Sequence, residues 1–304
     1  MKIFVTGGAG FIGSSVVKAL IEQHHRVTVF DNLSSGTKEA VDLKANLIVG
    51  DLQNKNLLSS SLADHDIIFH FAGLIEADES VKNPQAFYNV NTIGGINLLE
   101  AARKNNIKKI IFSSSASVYL PQKYPLLESS PTFPDNPYGA TKLAFESLMS
   151  AYYFSYKIEI VALRYFNAYG PGERHLPETH AIPIFINSIL KDNEVPVYWK
   201  GDHIRDFIYI DDLVAAHILT LKTKGINVFN IGTGQGTKII DLLKMIAKIL
   251  NKKPKIKDVG QRQGDPKILV ASFKKINREL GWEPKEPLEK GLQKTIIFFK
   301  SQLF

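Results

Sequence analysis

Two short segments carry residues that make chemical sense only together. One is Ser113-Ser114-Ser115-Ala116-Ser117-Val118-Tyr119, closing an apolar run, and the other is Tyr138-Gly139-Ala140-Thr141-Lys142, opening a helical stretch. A helix places Tyr138 and Lys142, four residues apart, as neighbours on one face. An ammonium beside a phenol favours the phenolate. A tyrosine tuned in that way exchanges protons near neutral pH, where a free one does not. The serines end a separate strand, within reach of the same substrate oxygen. A lone Tyr-x-x-x-Lys is usually a solvated helix face, so its meaning depends on what surrounds it.

The elements that must position these residues begin at the N-terminus. A β-branched and aromatic run, Lys2-Ile3-Phe4-Val5-Thr6, leads into Gly7, Gly10 and Gly13, and an amphipathic helix follows over residues 14–23. Strand, glycine turn and helix in that order turn a glycine pattern into a dinucleotide site. The turn lets backbone approach a pyrophosphate at the helix N-terminus. A second strand, 26–30, ends at Asp31. An acid there accepts both ribose hydroxyls of NAD and repels a 2′-phosphate, so NAD is expected rather than NADP. Further strands over 46–50, 66–71 and 108–112 end at Asp51-Leu52, at Phe71-Ala72-Gly73 and at the serines. In an open parallel sheet, ligands bind beyond the carboxyl ends of the strands, where all of these landmarks fall.

The chain has 304 residues, 44% hydrophobic and 22% charged, an ordinary balance for a globular protein of one or two domains. It has no cysteine, which excludes disulfides, thiolate catalysis and cysteine metal sites. No stretch approaches the ~20 apolar residues of a membrane span. The chain opens on a strand without a signal-like segment, and a cytoplasmic location is expected. The net charge of +7 comes from scattered lysines, densest over residues 252–257 and at Lys274-Lys275, and reads as a solvated surface rather than a nucleic-acid site. The eight histidines show no ligand spacing. His175 and His180, near Glu173 and Glu178, read as loop residues, and no metal is expected.

The text changes character near Arg164. Up to there strands and helices alternate, as a doubly wound α/β domain requires. Beyond it comes the turn-rich Phe166-Asn167-Ala168-Tyr169-Gly170-Pro171-Gly172. Short strands over 195–199, 207–210 and 228–231 then mix with helices over 212–221, 239–250 and 288–299. The expected organisation is a Rossmann-type doubly wound parallel sheet over 1–165, to which segments near 205–230 return. A smaller mixed α/β lobe would occupy 166–304, with substrate in the cleft between the two.

At this point the residues resemble a known family, the extended short-chain dehydrogenase/reductases, and within it the UDP-glucose 4-epimerase type of nucleotide-sugar enzyme. The resemblance runs through Thr6 to Gly13, Asp31-Asn32-Leu33-Ser34-Ser35-Gly36, Glu79-Ser80-Val81, Asn91, Ser113 to Tyr119 and Pro137 to Lys142. It continues through Leu163-Arg164-Tyr165-Phe166-Asn167, Arg205-Asp206-Phe207, Gly232-Thr233-Gly234 and Arg262-Gln263-Gly264-Asp265. It implies that NAD is held by Gly7, Gly10, Phe11, Ile12, Gly13, Asp31, Asn32, Ser34, Ser35 and Gly36. It adds Asp51, Leu52, Phe71, Ala72, Gly73, Asn91, Ser113, Tyr138, Lys142 and Phe166 to that set. Tyr138 is implied as the base, Lys142 as the group that lowers its pKa and binds the nicotinamide ribose, and Ser115 as a partner of the sugar O4. Asn167, Arg205, Arg262 and Asp265 are implied to grip the uridine diphosphate, with His180, Ala181, Val197, Tyr198 and Leu269 lining the substrate site. Two arginines suit a diphosphate on chemical grounds as well.

The resemblance further implies a homodimer, through helices near residues 81–104 and 137–153. Dehydratases and decarboxylating relatives are the alternative, but those carry acids just after the serine, where this chain has Ala116 and Ser117. A non-catalytic dinucleotide sensor is a more distant reading, since such proteins usually lose the tyrosine or the lysine. Leu120 and Trp199 stand where relatives usually have glycine. Leu269 stands where a tyrosine would narrow the sugar pocket, which leaves room for an N-acetyl group.

Overall fold

The structure, a computed structural model, describes residues 1–120, 124–173, 179–261 and 266–302. The strands are β1 (Lys2–Thr6), β2 (Arg26–Asp31), β3 (Asn46–Val49), β4 (Ile67–His70), β5 (Lys109–Ser115), β6 (Glu159–Tyr165) and β7 (Asn167–Tyr169), followed by β8 (Glu194–Val197), β9 (Ile204–Tyr209), β10 (Ile226–Ile231), β11 (Gly236–Lys238), β12 (Lys255–Asp258) and β13 (Ile268–Leu269). Contacts divide the chain into two compact units. One holds residues 1–120, 128–165 and 214–229, and the other holds 121–127, 166–213 and 230–304.

In the first unit a seven-strand parallel sheet runs β10-β6-β5-β4-β1-β2-β3. Its central strands are buried on both faces and read as continuous apolar runs, as parallel strands must. Phe4, Ile68, Leu98, Ile110, Phe145 and Met149 belong to one core cluster. Strand order reverses between β1 and β4, which is where a doubly wound sheet opens a ligand crevice. The helix that follows β1, Phe11–Glu22, buries Val16, Val17 and Leu20. The Pro137–Tyr156 helix starts on two sequence signals: Asn136 Oδ1 accepts the Gly139 N–H at 2.9 Å, and Pro137 takes the first helical position.

The helix expected near 81–104 is broken. It forms as Ala77–Lys82, Pro84–Phe87, a π-turn over Tyr88–Ile93 and then Gly94–Lys104. Pro84 ends the first piece, and the π-turn carries Asn91 to a buried position.

In the second unit β9 is the hub, pairing with β11, β13 and β7. Asp206 on β9 is fully buried and accepts N–H bonds from Thr233 (2.7 Å), Gly234 (2.9 Å) and Ala271 (3.1 Å). That carboxylate explains the Arg205-Asp206-Phe207 and Gly232-Thr233-Gly234 motifs together. The expected strand over 195–199 stops at Val197, because Trp199 and Lys200 turn left-handed with φ of 53° and 52° before Gly201 at 79°. Glycine would suit that turn better than tryptophan does.

The turn after β1 fixes a testable detail. A Cβ on Gly13 would stand 2.1 Å from the Gly7 carbonyl oxygen, whereas one on Gly10 would meet nothing closer than 3.5 Å. Overpacking of that kind costs about 1–3 kcal/mol, against ~1 kcal/mol gained in helix propensity. Gly13→Ala should therefore lower the thermal midpoint by a few degrees, and by more than Gly10→Ala, which meets no clash and loses only the N-cap preference for glycine. Equal midpoints by calorimetry would show that the turn relaxes around the added methyl.

Candidate active site

Gly7, at φ 70°, closes the β1 turn directly against the β4 exit: a Cβ there would stand 2.4 Å from the Ala72 nitrogen. The Phe71 and Ala72 N–H groups both donate to the Thr6 carbonyl, at 2.9 and 3.1 Å. Gly10, as N-cap of the Phe11–Glu22 helix, offers no capping side chain, so the first N–H groups of that helix face outward at Phe11, Ile12 and Gly13. Asp31 lies beside this turn, nearly buried, with one oxygen accepting the Ala9 N–H at 2.9 Å and the other the Leu33 N–H at 2.8 Å. Each carboxylate oxygen keeps a second lone pair for a hydroxyl donor. Asn32 donates to Asp51 at 2.8 Å, joining the ends of β2 and β3, and its Oδ1 accepts the Ser34 N–H at 3.1 Å. The loop through Ser35 and Gly36 packs on Ala9, with the Thr37 N–H on the Ala9 carbonyl at 3.2 Å. Leu52 is buried below. An uncapped helix start beside an acceptor-only carboxylate fits a pyrophosphate and a diol, so these residues fit NAD.

The β5 exit supplies the reacting group. The Lys142 Nζ donates to the Ser113 carbonyl at 2.8 Å and lies 4.8 Å from the Phe112 ring centroid and 5.7 Å from that of Tyr138. The Ser115 hydroxyl bonds the Tyr138 side chain and also accepts the Ser117 N–H at 3.1 Å. Ser113 Oγ donates to the His70 carbonyl at 3.0 Å, which holds β5 to β4. Asn91 braces the loop after β4: its Oδ1 accepts the Leu74 N–H at 2.8 Å and its Nδ2 donates to Leu74 O (2.9 Å) and Thr141 Oγ1 (3.0 Å). Gly73 lies against that amide, close enough that a Cβ there would be 3.9 Å from Lys142 Nζ. The Tyr138 N–H donates to Ser80 Oγ at 3.1 Å, so the short helix before the π-turn also registers the tyrosine.

Burial dominates the proton balance at this site. Burial pushes the Tyr138 phenol up to about 12; the Ser115 hydroxyl pulls it down, and the Glu76 charge raises it further. Burial also brings the Lys142 ammonium down to about 7, with the Glu146 charge holding it up. Burial thus disfavours the phenolate and the ammonium alike in the same dry surroundings. His70 is buried still deeper, is pushed down to about 3, and stays neutral.

In the second unit, Asn167 (β7), Arg205 (β9) and Leu269 (β13) belong to one small sheet, with Leu269 the direct neighbour of Arg205. The Arg205 guanidinium is buried, its Nη1 on the Ile204 carbonyl at 2.8 Å and its Nη2 on His203 Nδ1 at 3.4 Å. Val197 is buried and Tyr198 exposed at the end of β8. Phe166 is buried, its N–H on the Ile231 carbonyl at 3.0 Å. His180 caps the Ala181–Leu190 helix by position and bonds Glu173 Oε1 at 2.6 Å through Nδ1. His175, Glu178, Arg262 and Asp265 lie outside the described residues. Among the described residues no group of three His, Asp or Glu side chains is arranged for a metal ion, and no helix is long and apolar enough to cross a membrane.

Sequence reasoning missed the buried Ser114–Glu146–Arg164 cluster, in which Arg164 Nη2 meets Glu146 Oε2 at 2.7 Å. The available signal was Glu146 on the Tyr138 and Lys142 side of one helix.

The UDP-glucose 4-epimerase of Lactobacillus helveticus is 39% identical to the chain over 305 residues, covering 94% of this chain and 92% of the relative. Among solved structures, the UDP-glucose 4-epimerase of Thermotoga maritima, determined with UDP-glucose, superposes with a TM-score of 0.96 at 36% identity, covering all of both chains. The UDP-N-acetylglucosamine 4-epimerase of Methanobrevibacter ruminantium, determined with UDP-N-acetylmuramic acid, gives 0.93 at 36%, covering 99% of this chain and 98% of the other. A family match over residues 3–232, with relatives whose length this chain nearly fills, places it in the NAD dependent epimerase/dehydratase family.

Proposed function

We propose that the protein is a nucleotide-sugar 4-epimerase that interconverts UDP-glucose and UDP-galactose as a cytoplasmic homodimer. The observation that carries this is the convergence of Ser115, Tyr138 and Lys142 at the β5 exit, next to a dinucleotide turn. Tyr138 takes the proton of the sugar 4-hydroxyl and later returns it, and Ser115 holds the same oxygen. NAD held at the Gly7–Gly13 turn and Asp31 would supply the acceptor and then the donor of the C4 hydride. The Lys142 ammonium favours the phenolate during the transfer. The sugar passes through a 4-keto form and must present its other face before reduction. We assign the first unit to the cofactor and the second, through Asn167, Arg205, Arg262 and Asp265, to the uridine diphosphate.

Overall likeness does not choose the sugar, since the two structural neighbours above share one identity level and act on different hexoses by name. Leu269 supports acceptance of the N-acetyl forms: it is smaller than a tyrosine and packs beside Arg205. Elimination is disfavoured by the residues after Ser115, because Ala116 and Ser117 offer no acid or base. Support for a dimer comes from Val81, Tyr88 and Ile93, large apolar side chains left exposed within the 81–104 stretch named for it.

The deciding experiment is to release and identify the bound cofactor, then assay UDP-glucose, UDP-galactose and their N-acetyl forms without added NAD. Product formed only with stoichiometric NAD consumption would make the chain a dehydrogenase. Tyr138→Phe should lower turnover by ~10²–10⁴-fold while the cofactor stays bound; near-normal turnover would mean another group is the base.

Lys142→Met tests the balance at the site. A lysine whose folded pKa is depressed burdens the fold most when protonated, so that penalty is full below about pH 7 and fades towards the ordinary value of 10.5. The variant should be inactive, and its thermal midpoint relative to the parent should be higher at about pH 6 than at about pH 9. A pH-independent difference would refute the depressed lysine.

Leu269→Tyr should suppress the N-acetyl activity and spare the plain hexoses. Equal loss of both, or a parent inactive on N-acetyl sugars, would remove Leu269 from the specificity argument.

A further inference from the structure

The Pro137–Tyr156 helix carries a third polar side chain on the side of Tyr138 and Lys142, namely Glu146, which is 7% exposed. Its Oε1 accepts from Ser114 Oγ at 2.5 Å and from Arg164 Nε at 3.0 Å, and its Oε2 accepts from Arg164 Nη2 at 2.7 Å. Ser114 and Arg164 are cross-strand neighbours on β5 and β6. Arg164 is fixed in turn, 4.8 Å above the Tyr119 ring and with Nη1 on the Glu128 carbonyl at 3.3 Å. Three consecutive serines thus meet one helix at three rungs: Ser115 at Tyr138, the Ser113 carbonyl at Lys142, and Ser114 at Glu146.

A buried ion pair is a poor device for stability alone, since well-packed apolar residues usually serve as well or better. We propose that Glu146, clamped by Ser114 and Arg164, is a positioning residue for the proton-transfer pair: it registers the helix against the serines and supplies a negative charge that favours the Lys142 ammonium. The inference rests on the reading of Ser115, Tyr138 and Lys142 as the reacting group.

Among the described residues, the other groups around the lysine do not offer that charge. Tyr138 faces it from its own helix as a neutral phenol. The Ser113 carbonyl and the Phe112 ring face it from β5, and from β4 comes His70, uncharged at neutral pH. The Asn91 amide approaches by way of Gly73. Glu76, from the loop before the Ala77–Lys82 helix, acts on Tyr138. Glu146 is the charge that acts on Lys142 in the favourable direction.

Two variants test this. Glu146→Gln keeps volume and an acceptor for Ser114 but removes the charge. Glu146→Leu with Arg164→Met removes the whole pair, so no buried charge is left alone. The Lys142 titration is followed by NMR of ¹³Cε-labelled lysine, with the signal assigned by its loss in Lys142→Met, and kcat is followed against pH. The titration midpoint should fall by about one unit or more in Glu146→Gln and in the same direction, by less, in the double variant. The alkaline limb of kcat should move to lower pH with it, while KM stays within about twofold. A double variant that folds and keeps the parent's Lys142 titration would overturn the proposal and leave Glu146 a structural residue. A shifted titration in a protein that turns over no UDP-hexose would sustain the proposal and refute the epimerase reading instead.

Discussion

The site depends on keeping an ammonium dry. Lys142 is 3% exposed, donates to one carbonyl, and lies over two aromatic rings. Burial of a cation carries a large penalty unless charge or hydrogen bonds offset it. Here the offset is partial, as its fall to about 7 records. The surrounding features follow from that constraint. The π-turn brings an amide rather than a carboxylate near the lysine, His70 is neutral, and a carboxylate is placed one helical turn away. A fold built for stability alone would put an apolar side chain at this position.

Much of the first unit was legible because its signals are local. Strand, glycine turn and helix follow one another within the first two dozen residues, and each later strand ends on a polar or small residue that marks the crevice. The i, i+4 spacing of Tyr138 and Lys142 gave their shared face from arithmetic alone. What was not legible joins distant segments. Glu146 meets Ser114 and Arg164, 32 and 18 residues away, through strand pairing that no periodicity encodes. The pKa directions were also out of reach, since they depend on how much water is excluded rather than on spacing.

In the second unit the motif residues divide between scaffold and site. Asp206 spends its carboxylate on backbone N–H groups of two other segments, so its place in the Arg205-Asp206-Phe207 motif is structural. Arg205, one residue earlier on the same strand, faces the other way, as alternation in a strand requires. Trp199 shows the opposite case. A left-handed backbone at φ 53° suits glycine, yet the indole stacks on His203 with ring centroids 5.0 Å apart. Ring contact offsets the backbone cost, of order 1–3 kcal/mol.

The resting charges bear on how the chemistry is restrained. Burial holds the phenol up and the ammonium down, so at neutral pH a protonated tyrosine stands beside a lysine that gives up its proton more readily than usual. Little phenolate is present in such a pair at rest. Its population rises when positive charge enters the pocket or a hydroxyl donates to the phenol oxygen, because both favour the phenolate. Ser115 already donates one such bond, and a sugar hydroxyl at the same point would add a second. Ligand binding and proton removal are therefore coupled through the dryness of the site: the burial that keeps the phenol protonated at rest also strengthens every electrostatic interaction made once the site is filled.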